Sequence, residues 1–125
     1  MHRLLSPESV RELYKNRLPA SQNLTDCSFE NTFSESTGEG VGFGLAVSVL
    51  TDPPVAKGGV LSGIGEFGWG GVASTFFSVD PSKDMGFVFM TQLIPSSATP
   101  FRPHLRWLSH KAVEEFREKL SEQRE

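Results

Sequence analysis

From Val41 to Thr51 the chain reads VGFGLAVSVLT, with Val41, Phe43, Leu45, Val47 and Val49 at alternate positions and mostly small residues between them. Period two is the signature of a β-strand, so about 42–51 is expected to form one strand, broken by Asp52-Pro53-Pro54. A second strand is expected over 69–79, with Trp69, Ala73, Thr75, Phe77 and Val79 on one side and Val72, Ser74 and Phe76 on the other. Asp80-Pro81-Ser82-Lys83-Asp84 reads as a turn, with proline where its fixed φ helps. The run 85–93, MGFVFMTQL, is apolar at nearly every position. It predicts a third strand buried on both faces.

The ends of the chain carry a different period. Ser6-Pro7-Glu8 is a helix start: an N-cap serine, a proline at the first helical position and an acid in the first turn. Val10, Leu13, Tyr14 and Leu18 follow at helical spacing until Pro19. From about Phe101 the pattern is helical again, with Leu105, Leu108, Ala112, Phe116 and Leu120 forming one stripe. That stripe is expected to pack on the sheet. Residues 20–40 are polar and rich in Ser, Thr, Asn and Gly, a loop long for a compact small domain. The expected fold is α+β: an antiparallel three-strand meander between an N-terminal and a C-terminal helix. A sheet with apolar positions on both faces needs two covers, and the short leading helix supplies too little. The chain reads as half of a larger body, a partial domain over 1–125.

Composition narrows the chemistry. Charged residues make up 22% and the net charge is −3, so there is no basic patch of the kind a nucleic-acid phosphate backbone needs. Cys27, the single cysteine, excludes an internal disulfide and a multi-cysteine zinc site. No apolar run approaches the length of a membrane span, and MHRLLSPESV lacks the apolar core of a signal peptide. No compartment follows from this. Gly63-Ile64-Gly65-Glu66-Phe67-Gly68 fits the spacing of a dinucleotide-binding loop, but a strand, not a helix, is expected after it. His104 and His110 lie six apart on the expected helix and point to different faces. With His2 they read as solvated or helix-terminal, and no metal site or cofactor is expected. No G-x-S-x-G elbow occurs.

One stretch is unusual. In GEFGWGGVASTFFSVDP, glycines 65, 68, 70 and 71 crowd the entry to the second strand, although glycine weakens a strand unless something approaches the backbone there. Taken in order, RLLSPESVRELYKNRLP, GVGFGLAVSVLTDP, GEFGWGGVASTFFSVDPSKDMGFVFMTQL and the terminal helix resemble the C-terminal part of the serine β-lactamase and penicillin-binding-protein fold. The likeness is to its esterase-like branch, related to class C β-lactamases. In that family a Lys-Thr-Gly or Lys-Ser-Gly triplet borders the active site, and Trp69-Gly70-Gly71 stands in its place. The resemblance implies that a substrate acyl group lies along the edge bearing Trp69, Gly70 and Gly71. It also implies that the backbone N–H of Val72 is half of an oxyanion hole. Tryptophan in place of the lysine removes the cation used to recognise a penicillin carboxylate.

The family's nucleophile lies in Ser-x-x-Lys, and no serine here has lysine three residues later. Tyr14-Lys15-Asn16 copies the second family motif in the wrong place, within the leading helix. The expectation is therefore a C-terminal fragment of a serine hydrolase, inactive alone, whose full-length parent takes a small ester or amide substrate. The alternative is a non-catalytic interaction module derived from the same fold, which pairs with another chain through its exposed sheet face or edge, self-association through the uncovered sheet being one form of this.

Overall fold

The computed structural model describes residues 3–27, 40–52, 62–99 and 101–123. It is an α+β fold with an antiparallel meander and a helix at each end, but the meander has five strands rather than three. Helix α1 covers Pro7–Leu13, and the strands are β1 Val41–Phe43, β2 Ser48–Leu50, β3 Phe67–Gly70, β4 Phe76–Asp80 and β5 Met85–Phe89. Helix α2 covers Phe101–Glu122. The strands pair in sequence order, each antiparallel to the next.

Two of the three expected strands are hairpins. The run 42–51 breaks after Phe43: the Gly44 N–H donates to the Val47 carbonyl at 2.8 Å, and β2 folds back on β1. A side chain at Gly44 would strike the Leu13 carbonyl oxygen at 2.0 Å, which pins the turn under the end of α1. The run 69–79 breaks at Gly71–Thr75. There the Gly71 N–H donates to Thr75 O at 2.8 Å, and the Ser74 N–H donates back to Gly71 O at 3.1 Å. Ser74 is left-handed, with φ of 66°, as a three-residue hairpin loop requires after its first turn.

Helix α1 starts as the sequence implies, with the Ser6 Oγ accepting from the Ser9 N–H at 3.2 Å and proline in the first turn. It stops at Leu13, before Pro19 is reached, and Tyr14 turns its ring flat onto Phe67 with centroids 4.7 Å apart. Asn16 beyond it is structural: its Oδ1 accepts from Leu18 and Phe43 N–H groups. The expected loop 20–40 contains short 3-10 turns at Pro19–Ser21 and Leu24–Cys27, while residues 28–39 lie outside the described residues. The 80–84 turn is a 3-10 turn capped by Asp80.

Residues facing α2 from β4 and β5 include Phe76, Ser78, Asp80 and Met85, all buried, with Phe76, Phe87, Phe89 and Phe101 in a chain of ring contacts. A second buried group, Leu24, Val47, Val49 and Leu50, lies around β2. The opposite face of β5 is open: Gly86 is exposed and Val88 is 69% exposed, so this strand is not buried on both sides as expected. Among the described residues no helix is long and apolar enough to cross a membrane.

The docking of α2 corrects a second expectation. Phe116 is 63% exposed, Leu108 and Leu120 are exposed as well, and Ala112 faces solvent. The side turned to the sheet is instead a row at the same four-residue spacing, Arg102, Arg106, His110 and Glu114, each with a polar partner on the sheet side. Residues four apart share a helix face whatever their polarity. The sheet offers this row carboxylates and carbonyls, and the charges are drawn in while the apolar stripe, apart from half-buried Leu105, turns outward.

Candidate functional site

Trp69, Gly70, Gly71 and Val72 lie together at the end of β3 and the start of the hairpin turn. Pairing between β2 and β3 ends at Ser48↔Gly68, so beyond Gly68 the outer edge of β3 has no neighbouring strand among the described residues. Trp69 stands opposite Phe77 on β4 and meets Phe43 edge-on, with ring centroids 5.0 Å apart. It is half-buried and stands next to the hairpin turn.

The turn sets the direction of one donor. The Gly71 carbonyl points into the hairpin, where it accepts from Ser74 N–H and from Arg102 Nη2 at 2.6 Å. In a trans peptide the N–H of the next residue points the opposite way. The Val72 N–H is thus directed out of the hairpin, and among the described residues nothing in the chain accepts it. Val72 itself is 70% exposed. An N–H with no acceptor among the described residues is a donor available to a bound carbonyl oxygen.

The approach that the glycines permit includes one the sequence did not reveal. A side chain at Gly70 would lie 2.6 Å from the Arg102 Cζ, so Gly70 leaves room for the guanidinium from α2. Arg102 Nη2 bridges Gly71 O and Thr75 O, at 2.6 and 2.8 Å. On the same side Ser74, buried, donates through its Oγ to Leu93 O at 2.7 Å and tethers the turn to the chain beyond β5.

One helical turn further along α2 is a buried ionic cluster. Arg106 grips Glu66 in bidentate fashion, Nε to Oε1 at 2.8 Å and Nη2 to Oε2 at 2.6 Å. His110 has no exposed surface and lies between two carboxylates, Nε2 at 3.3 Å from Glu66 and Nδ1 at 3.8 Å from Asp80. It sits in the middle of α2, not solvated or at a helix end as expected, because the two acids give its ring nitrogens a polar setting inside the fold. His104 is exposed near the start of α2, and His2 lies outside the described residues. Asp80 accepts from the N–H groups of Gly63, Ser82 and Lys83 and from Ser82 Oγ.

Burial pushes the Glu66 carboxyl up, but the polar contacts of His110 and Arg106 and the Arg106 charge outweigh it and hold the group at about 2. Burial likewise opposes the Asp80 carboxylate, and its Ser82 and Gly63 donors more than compensate, leaving it below the usual range. Glu66, Asp80 and His110 each offer one ligand atom, all within 4.8 Å of one another. A cation there would have to displace Arg106 from Glu66 and the four donors from Asp80, so the cluster serves as an ion network rather than a metal seat.

No family model matches the chain. Over 97 residues it is 39% identical to Protein Rv1367c of Mycobacterium tuberculosis strain H37Rv, and equally to the uncharacterized protein MT1414 of strain CDC 1551. The match takes in 74% of this chain and 22% of each relative, so it spans about a fifth of their length.

Proposed function

We propose that this chain is the C-terminal part of a serine hydrolase related to the β-lactamases and penicillin-binding proteins, acting on an ester or amide in the longer parent protein. One observation carries the reading: the hairpin after Trp69-Gly70-Gly71 presents a Val72 N–H with no acceptor among the described residues, next to the point where pairing between β2 and β3 ends. The mycobacterial relatives are much longer than the stretch they share with this chain.

In the parent, a serine hydroxyl attacks the substrate carbonyl as a base takes its proton. The tetrahedral oxyanion accepts a hydrogen bond from the Val72 N–H. Collapse expels the alcohol or amine and leaves an acyl-enzyme, which water then hydrolyses. Trp69 offers an aromatic wall without charge, which suits a neutral acyl group better than a carboxylate-bearing one.

This chain lacks the nucleophile. Purified alone it should hydrolyse neither p-nitrophenyl esters nor nitrocefin above a buffer control. The longer protein should release p-nitrophenol with an initial burst, lost on Ser→Ala substitution at its Ser-x-x-Lys serine. A sustained rate from the chain alone, abolished by one Ser→Ala change within it, would reveal a nucleophile here and sink the fragment reading.

A second reading, an interaction module, draws on the exposed apolar positions Val88 and Met90 on one side and Leu108 and Phe116 on α2. It requires pairing with another chain, tested as self-association. Sedimentation of the longer protein as a monomer that burst-labels would exclude it, whereas a longer protein that is inert and dimeric would favour it.

A further inference from the structure

The Gly71–Val72 peptide carries two groups with opposed directions. Its carbonyl faces Arg102, and its N–H points out of the hairpin. Whatever fixes the carbonyl therefore aims the N–H, because the peptide is planar. Within the turn, the Ser74 N–H holds the Gly71 carbonyl at 3.1 Å. Arg102 Nη2 holds it at 2.6 Å while also holding Thr75 O at 2.8 Å, across the neck of the hairpin. Hydrogen bonds from an ionised donor are shorter and roughly twice as strong as neutral ones. The positive charge at the carbonyl end also polarises the peptide and strengthens its N–H as a donor.

Three features make this contact a built one. Gly70 is the residue whose missing side chain admits the guanidinium, since a Cβ there would lie 2.6 Å from Cζ. Arg102 enters from the first turn of α2, a rigid element. The next residues of the same helical row, Arg106 and His110, are anchored in the Glu66–Asp80 cluster, which fixes the helix and so the reach of Arg102.

We propose that Arg102 is the positioning residue of the candidate oxyanion donor: by bridging Gly71 O and Thr75 O it fixes the plane of the Gly71–Val72 peptide and aims the Val72 N–H out of the hairpin. The assignment of that N–H as an oxyanion donor rests on the hydrolase reading above; the positioning itself does not need turnover to be observed. Arg102 acts from behind the strand and touches no substrate.

The test is nuclear magnetic resonance of the 15N-labelled chain, reading residual dipolar couplings and order parameters of single amides. In the unaltered chain the Val72 N–H should have one orientation and an order parameter near the rigid value of about 0.85. In Arg102→Gln it should fall below about 0.6 with an altered coupling, while the amides of β4, β5 and α2 keep theirs. Arg102→Lys, a cation with a single nitrogen, should lie between the two. A merely structural role would shift all these amides together or none of them. If Arg102→Gln folds and the Val72 coupling and order are unchanged, the proposal is wrong. Should that variant not fold, Gly70→Ala displaces the guanidinium without removing its charge, and an unmoved Val72 amide there overturns the proposal equally. Failure of the hydrolase reading shows elsewhere, as a longer protein without acyl transfer whose Val72 amide still depends on Arg102.

Discussion

Arg106→Met is expected to destabilise this chain by about 3–5 kcal/mol at neutral pH, the range for removing one partner of a buried ion pair. The Glu66 side chain is 1% exposed and gives both oxygens to Arg106, so the variant leaves a carboxylate sealed in the fold without its principal cation. A domain whose whole stability is about 5–15 kcal/mol does not absorb that easily. The double variant Glu66→Gln with Arg106→Met should recover most of the loss, since the buried Glu66 carboxylate that Arg106 compensates is then gone, and Asp80 keeps its own donors.

The pH dependence follows in sign. Glu66 sits at about 2 when folded against an ordinary value of 4.5, so between those two limits the unfolded chain binds more protons. Stability from this group is fully present above about pH 4.5 and drains away as the pH falls toward 2. The linkage amounts to about 3 kcal/mol. Urea titrations followed by circular dichroism at several pH values should show this acid limb in the unaltered chain and a flatter one in Glu66→Gln. A loss under about 1 kcal/mol in Arg106→Met at pH 7 would mean that the cluster is solvated.

The second large effect belongs to the hydrolase proposed above. In it, Val72→Pro should reduce acyl transfer about 10²–10³-fold, the magnitude associated with losing one oxyanion donor. Proline is favoured at the first central position of a tight turn, and glycine before it tolerates the extended conformation proline imposes. Among the described residues the deleted N–H has no partner in the chain, so thermal melting should shift little. Gly71→Val is a poorer probe, because its Cβ would lie 2.6 Å from Thr75 Oγ1 and disturb the hairpin itself. An unchanged burst rate in Val72→Pro would remove Val72 from the reaction.

Period-two alternation in 41–51 and the β-formers of 69–79 placed the sheet, and helical spacing with the Ser6-Pro7-Glu8 start placed both flanking helices. The strand patterns left part of the sheet unread. They could not reveal the two extra turns, because strands on either side of a tight hairpin alternate just as one long strand does. Gly44 and Gly71 mark those turns without the Asn-Gly or Asp-Gly pairs that announce them. Helix α2 misled for a different reason. Its apolar stripe was visible, but which stripe docks depends on the surface opposite, and Glu66 and Asp80 make that surface ionic. Arg102, Arg106, His110 and Glu114 at four-residue spacing were a readable signal of a shared face, though not of their partners. The Trp69–Val72 site came from resemblance alone, and nothing in the sequence tied Arg102 to it.

That polar row also spells a code for alignment. Along the sheet side, α2 meets in turn the Gly71 and Thr75 carbonyls, Glu66, Asp80 and Lys83, and it answers with Arg102, Arg106, His110 and Glu114. A helix seated by leucines could slide one turn, about 5.4 Å, and find similar grease. Here a slide in one direction sets Glu114 against Asp80, and a slide in the other sets His110 against Lys83 and leaves the carbonyls facing Ala98. Each misalignment meets a like charge or an empty acceptor. The helix therefore has one berth, and the turn that carries Val72 inherits its position from it.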